Sequence, residues 1–223
     1  MRKTRRDRRS RSRRRTRRLR HRGGTPTTPT FHILITASGR PSLKNLLASM
    51  KNELSERDAV TIVFDGKDKK AAAGWSDVWI KDFKAPIALF EEEHVGNWGH
   101  DHRTAYQTKL KPQTTFIMHA DDDDQYIPGF AHGLRETCID PNKLYIARMT
   151  YKSDRSHTVP RQSEVIKQDD IGSPCGIIPW AEAGKGVWEN QYTGDFKYYE
   201  KLGAALGKDR ISFIPNVIYL VSK

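Results

Sequence analysis

Short apolar runs and amphipathic segments alternate along most of the chain. Phe31-His32-Ile33-Leu34-Ile35-Thr36-Ala37 ends in Ser38-Gly39 and reads as a strand buried on both faces. Leu43, Leu46, Leu47, Met50 and Leu54 then fall at i, i+3, i+4, i+7 and i+11 behind Pro41, which predicts a helix with one apolar stripe. Val60-Thr61-Ile62-Val63-Phe64, closed by Asp65-Gly66, completes a β-α-β unit and so a parallel pair with a right-handed crossover. Farther on, Val78–Ile80 and Ile87–Leu89 read as short strands, and Trp98–Leu110 as a helix with Trp98, His102, Ala105 and Tyr106 facing inward. Thr114–His119 is a strand, Pro128–Glu136 opens a helix, Leu144–Tyr151 is a strand and Asp195–Leu206 a helix. Ile211–Val221 supplies one or two closing strands. The pattern predicts an α/β layered domain with a mostly parallel central sheet.

The 223 residues suit one globular domain. The net charge of +12 suggests a nucleic-acid binder until its position is considered. Fourteen of the 39 Lys and Arg lie within residues 1–22, against one acid, Asp7; the other 201 residues carry 25 basic and 26 acidic groups, a net of −1. The expected organisation is therefore a disordered Arg-rich arm over 1–24, a Thr/Pro linker over 25–30 and a folded domain over 31–223. No stretch approaches the roughly 18 apolar residues of a membrane span. Cys138 and Cys175 lack the spacing of a disulfide framework or a zinc site. A soluble, intracellular, non-secreted protein is expected. The arm is open to nuclear targeting, to contact with RNA, DNA or an anionic surface through residues 2–22, or to no essential role.

Three strands end in polar residues suited to a ligand site at the carboxyl edge of a sheet: Ser38-Gly39-Arg40, Asp65-Gly66 and Asp121 to Asp124. An acidic run is most often a solvated loop. Four adjacent carboxylates at the tip of an apolar strand, however, repel one another and call for a compensating cation, for which Mg²⁺ or Mn²⁺ is the natural choice.

The stretch Asp121-Asp122-Asp123-Asp124-Gln125-Tyr126-Ile127-Pro128 resembles the D-x-D-D and following proline of GT-A fold glycosyltransferases. The likeness is to the family 2-like enzymes and the small chlorella-virus-type domain in particular. Thr36–Leu43 resembles the family's first strand and nucleotide-contacting turn, and Asp65 stands where the second strand presents an acid to the base or ribose. The resemblance spans about Phe31 to Lys223 and is weak between Lys67 and Glu93. It implies a single GT-A-like, Rossmann-like domain. The implied activity is metal-dependent, inverting transfer of a sugar from a nucleoside-diphosphate donor, by default a UDP-sugar, to the hydroxyl of a glycan or other acceptor.

The resemblance also implies roles for single residues. Thr36, Ala37, Ser38, Arg40, Asp65, Arg103, Asp121 and Asp122 would bind the donor, and Asp121, Asp123 and Asp124 would hold Mn²⁺ or Mg²⁺ against the leaving diphosphate. Arg103 could equally be a solvated charge on a helix face. Asp195, at the place of the family's E-D motif, is the expected base; Gly194 replaces the first acid of that pair, and helix capping is the plain alternative. Glu189, Asp169 and Asp170 are the other candidates for the base. Trp180, Trp188 and Tyr192 suit an acceptor platform, although tryptophans are more often core anchors. His119 is read as a strand residue near the site and His157 as an additional metal or phosphate contact.

Two rival classes remain. A metal-dependent nucleic-acid enzyme or binder would use the arm for phosphates, but the near-neutral body lacks a basic groove. A structural coat-like protein would want an all-β jelly roll, against which the helix after Pro41 speaks.

Overall fold

The computed structural model describes residues 28–111, 113–161 and 164–222. The arm, with its expected disorder and anionic contacts, and half of the linker lie outside these residues. Among the described residues nine strands form one sheet. Strand β1 (Phe31–Ala37) is buried at every position. Parallel neighbours flank it on both sides, β2 (Ala59–Asp65) and β4 (Phe116–Asp121), and β2 pairs in parallel with β3 (Ile87–Glu92) at the edge. An apolar run without polar alternation is what a strand covered on both faces requires.

Helix α1 (Leu43–Met50) lays Leu43, Leu46, Leu47 and Met50 on the sheet, as its stripe predicts, and Leu54 is buried just beyond it. Val78–Ile80, expected as a strand, instead lies in a 3-10 turn over Asp77–Trp79, after the short helix α2 (Lys69–Ala72). Ser76 accepts the Val78 N–H and begins that turn, so a local side-chain bond overrides the β-branched composition. Helix α3 begins at His100 rather than Trp98 and runs to Lys109. Asn97 and Trp98 both have φ 53° and Gly99 has φ 74°, a left-handed stretch that cannot continue a helix. Trp98 is consequently exposed and Ala105 points outward, while Arg103 and Gln107 join His102 and Tyr106 on the buried face.

Beyond β4 the chain makes the two-residue strand β5 (Gln125–Tyr126), helix α4 (Phe130–Thr137), strand β6 (Leu144–Tyr151) and the two-residue strand β7 (Thr158–Val159), which pairs with β6. Strand β8 (Gly176–Pro179) lies in a stretch for which the apolar pattern predicts no element. It is antiparallel to both β4 and β6 and joins the two halves of the sheet. At four residues between glycine- and proline-rich flanks it carries too little pattern to be legible alone. Helix α5 (Gly194–Leu206) leads to β9 (Ile211–Val221), parallel to β6. The β6–β9 register breaks between Ile146 and Arg148, opposite Pro215, which cannot donate to a ladder. Of the one or two closing strands expected there, the structure forms one, interrupted in register at this break. The full order is β3-β2-β1-β4-β8-β6-β9-β5. No described helix is long and apolar enough to cross a membrane.

One buried polar knot holds the start of β1. Asp58, 1% exposed, accepts the Phe31 N–H (2.9 Å), the Ser55 N–H (2.7 Å) and the Ser55 hydroxyl (2.8 Å), and pairs with Arg135 of α4. The Arg135 guanidinium also lies 5.4 Å from the Phe31 ring centre. Removing the carboxylate leaves a half-buried guanidinium and two N–H groups without their acceptor. Asp58→Ala should therefore cost about 3–5 kcal/mol of folding stability, read as a lower urea midpoint by circular dichroism; a loss below about 1 kcal/mol would show that the knot does not hold the sheet edge.

Candidate functional site

The parallel registers set Thr36 opposite both Val63 and Asp121, and Asp65 opposite Glu92, so the carboxyl ends of β1, β2 and β4 lie along one sheet edge. A cleft of about 680 Å³ opens there. Thr36, Ala37, Ser38, Arg40, Asp65, Arg103, Asp121, Asp122, Asp123, Asp124 and Asp195 all line it. Residues up to 99 apart in sequence are also bonded to one another across its floor.

Each of the four aspartates has its own partner. Asp121 pairs with Arg103, and its N–H donates to the buried Tyr219 hydroxyl of β9 at 3.0 Å. Asp122 accepts the Ser38 N–H (2.8 Å) and the Arg40 N–H (3.2 Å), fastening the turn after β1. Asp123 faces the Arg40 guanidinium at 2.6 Å. Asp124 accepts the Ser222 N–H at 2.8 Å, and the Ser222 hydroxyl donates to the Asp123 carbonyl. Burial raises the pKa of Asp122 despite its donors. Burial, with Asp121 and Asp123 adding repulsion, pushes Asp124 up to about 7.

Arg103 is no solvated helix charge: it is fully buried. Besides Asp121, it donates to the Trp98 carbonyl at 2.7 Å, and its guanidinium lies 5.1 Å from the Trp188 ring centre. Asp65 accepts the Val95 N–H (2.7 Å) and the Gly96 N–H (3.0 Å), with His102 Nε2 at 2.9 Å and His94 Nδ1 at 3.1 Å. Burial alone would raise its pKa; these donors outweigh it and bring the pKa below the usual value. Gly99 lets the loop approach β1, because a Cβ there would stand 2.6 Å from the Thr36 side chain.

Asp195 opens α5 on the opposite wall. Burial, reinforced by Asp121 and opposed by the Phe196 N–H and Arg103, raises its pKa to about 6. The Phe196 N–H bonds Oδ1 at 2.7 Å. Gly194, the departure from the E-D pair, has a steric cause: a Cβ there would stand 2.3 Å from the Glu189 carbonyl and 2.4 Å from the His100 ring. Among the other acids, Asp169 lines the cleft, Glu189 is paired with Lys201 at 2.7 Å outside it, and Asp170 accepts the Arg161 N–H at 3.0 Å.

Two expectations need correction. Trp180 and Trp188 are buried in the core and provide no acceptor platform, leaving Tyr192 of that trio at the cleft. His157 lines a separate shallow depression with Arg148, Ser156, Thr158 and Arg161, away from the carboxylates. His119 does lie on β4 but is wholly buried against Trp188 and Tyr198. The sequence reading missed Ser222, which closes the acidic turn, and Trp98, which lines the cleft instead of packing inward. No local signal marks Ser222; the glycines at 96 and 99 could have flagged the turn that exposes Trp98.

Among the described residues no three His, Cys, Asp or Glu side chains form a ready-made metal site. The donor set nevertheless suits a hard divalent cation. The side chains of Asp121, Asp123 and Asp124 offer only oxygen; burial first, and then repulsion from Asp121 and Asp123, raises the Asp124 pKa. Ions of this kind commonly complete their shell with water and substrate phosphates.

No protein-family model matches the chain, and neither does any curated protein. Solved structures do match in fold. The mannosyltransferase PcManGT from Pyrobaculum calidifontis, in complex with GDP-Man and Mn²⁺, aligns with a TM-score of 0.66 at 12% identity, over 87% of this chain and 57% of that one. S. aureus TarS 1-349 in complex with UDP-GlcNAc aligns at 0.64 and 14% identity, over 87% and 58%. A longer S. aureus TarS structure aligns at 0.62 and 13% identity, over 87% and 37%. The chain thus spans less than two thirds of each of these proteins, and over that span it has the GT-A-like α/β fold of nucleotide-sugar-binding structures.

Proposed function

We propose that the chain is a glycosyltransferase that moves a sugar from a nucleoside-diphosphate donor, a UDP-sugar by default, to an acceptor hydroxyl with inversion. The observation that carries this reading is the convergence of the four aspartates, two arginines and Asp195 on one cleft at the sheet edge. The likeness to structures holding UDP-GlcNAc and GDP-Man supports it. The further likeness to the small chlorella-virus-type domain rests on the motif residues.

In this reading Thr36, Ala37, Ser38 and Asp65 contact the nucleoside, while Arg40 and Arg103 face the pyrophosphate. Both arginines lie on carboxylates. They can exchange those partners for phosphate oxygens, whose geometry matches a guanidinium fork. Asp121, Asp123 and Asp124 would hold Mn²⁺ or Mg²⁺, which when bound supplies charge neutralisation to the leaving diphosphate. Asp195 takes the proton from the attacking hydroxyl. Its pKa of about 6 fits that role, because the carboxylate is ionised at neutral pH yet more basic than a solvated one.

Titration with UDP or GDP, each with and without Mn²⁺, tests the reading by thermal shift, since ligands of the native state raise apparent stability. One nucleotide should stabilise the protein more with Mn²⁺. Asp123→Ala should abolish that gain, and the absence of any nucleotide response in the unaltered chain would defeat the proposal. Asp195→Asn should lower turnover by at least about 100-fold and leave donor binding nearly intact. If it weakens donor binding as much as Asp123→Ala does, the division of roles is wrong.

The pH profile gives an independent check. Because the base acts deprotonated, kcat/KM should fall about tenfold per pH unit below about 6 and level off above it. A profile flat between pH 5 and 7 would exclude Asp195 as the base.

A further inference from the structure

Two large aromatic side chains stand exposed at the cleft, Trp98 at 59% and Tyr192 at 68%. They come from opposite walls, Trp98 from the turn before α3 and Tyr192 from the loop that leads into α5 and Asp195. Their ring centres are 6.3 Å apart and their planes 75° apart. We propose that Trp98 and Tyr192 form a stacking subsite for a neutral pyranose ring of the acceptor, beside Asp195. This deepens the transferase reading and rests on it.

The walls that carry the two rings are fastened together. The Asp101 carboxylate accepts from Asn97 Nδ2 (3.2 Å) on one side and Asn190 Nδ2 (3.1 Å) on the other. His100 Nδ1–H donates to the Glu189 carbonyl at 2.7 Å, bridging the same two segments. Trp98 is held outward by a left-handed backbone, φ 53° and ψ 21°, that a bulky residue adopts only under constraint, and Arg103 secures its carbonyl. Ordering an exposed tryptophan in this way leaves an apolar face in water, a cost that ligand binding would offset.

The chemistry of the rim selects the ligand. Aromatic faces carry negative quadrupole charge and attract the C–H groups on the flat side of a sugar. Next to the rings in sequence stand amide and carboxylate groups, Asn97, Asn190 and Asp101, of the kind that match vicinal hydroxyls, while the cations of the cleft, Arg40 and Arg103, are paired with the aspartates of the acidic turn. A neutral glycan fits this surface better than a polyanion does. The position beside Asp195, three residues after Tyr192, puts a stacked sugar on the wall that carries the proposed base.

Saturation-transfer NMR on the full chain tests the subsite. The probes are cellobiose, maltose, chitobiose and methyl α-mannoside, recorded with Mn²⁺ and whichever of UDP or GDP binds. At least one sugar should bind, with Trp98→Ala and Tyr192→Ala each weakening it about three- to tenfold, and Trp98→Phe and Tyr192→Phe retaining most of it. Nucleotide affinity should change by no more than about twofold. If no probe binds while the nucleotide does, the subsite is overturned and the transferase reading stands. If Trp98→Ala weakens the nucleotide as much as the sugar, or the nucleotide alone, Trp98 serves the donor and the subsite is again overturned. Failure of both nucleotides in the unaltered chain removes the transferase reading itself.

Discussion

Like charges on neighbouring residues cannot be carried to the tip of a buried strand unless each meets a compensating group, and β4 ends in four aspartates. Much of the cleft follows from that constraint. Arg103 is buried inside α3 to meet Asp121, the turn after β1 folds back so that its N–H groups and Arg40 meet Asp122 and Asp123, and β9 extends far enough for Ser222 to meet Asp124. Asp124 keeps a pKa raised to about 7, first by its burial and then by its charged neighbours Asp121 and Asp123. Under the proposed reading, these carboxylates and the two arginines would face a cation and a diphosphate together.

The same constraint connects the two walls. Arg103 reaches Asp121 from a helix whose first turn also bonds the loop before α5, through His100 to the Glu189 carbonyl and through Asp101 to Asn190. Gly194 exists where that loop passes too close to His100 for any side chain. Asp195 is therefore fixed relative to the acidic turn by contacts that do not involve its own carboxylate. At the far end of the core the Asp58–Arg135 knot performs an analogous task, joining β1 to α4 by a charge pair whose carboxylate is buried.

The sequence by itself determined the elements with a clear apolar pattern. β1, α1, β2, β6 and β9 lie where their apolar residues put them, because a strand rich in apolar residues or a helix covered on one face leaves a legible signature. It also brought forward the acidic run, Asp65, Arg40 and Asp195, since unusual charge at element ends is visible in one dimension. Tertiary structure decided the rest. Whether Arg103 was a surface charge or a buried partner of Asp121, whether Trp180 and Trp188 were platform or core, and whether Trp98 faced in or out all depended on which distant segments arrived beside them. The link made by β8 depended on two neighbours distant in sequence, β4 and β6. Periodicity reports how a residue stands on its own element; the energy of a buried charge or an exposed ring is set by groups that only the closed chain brings near.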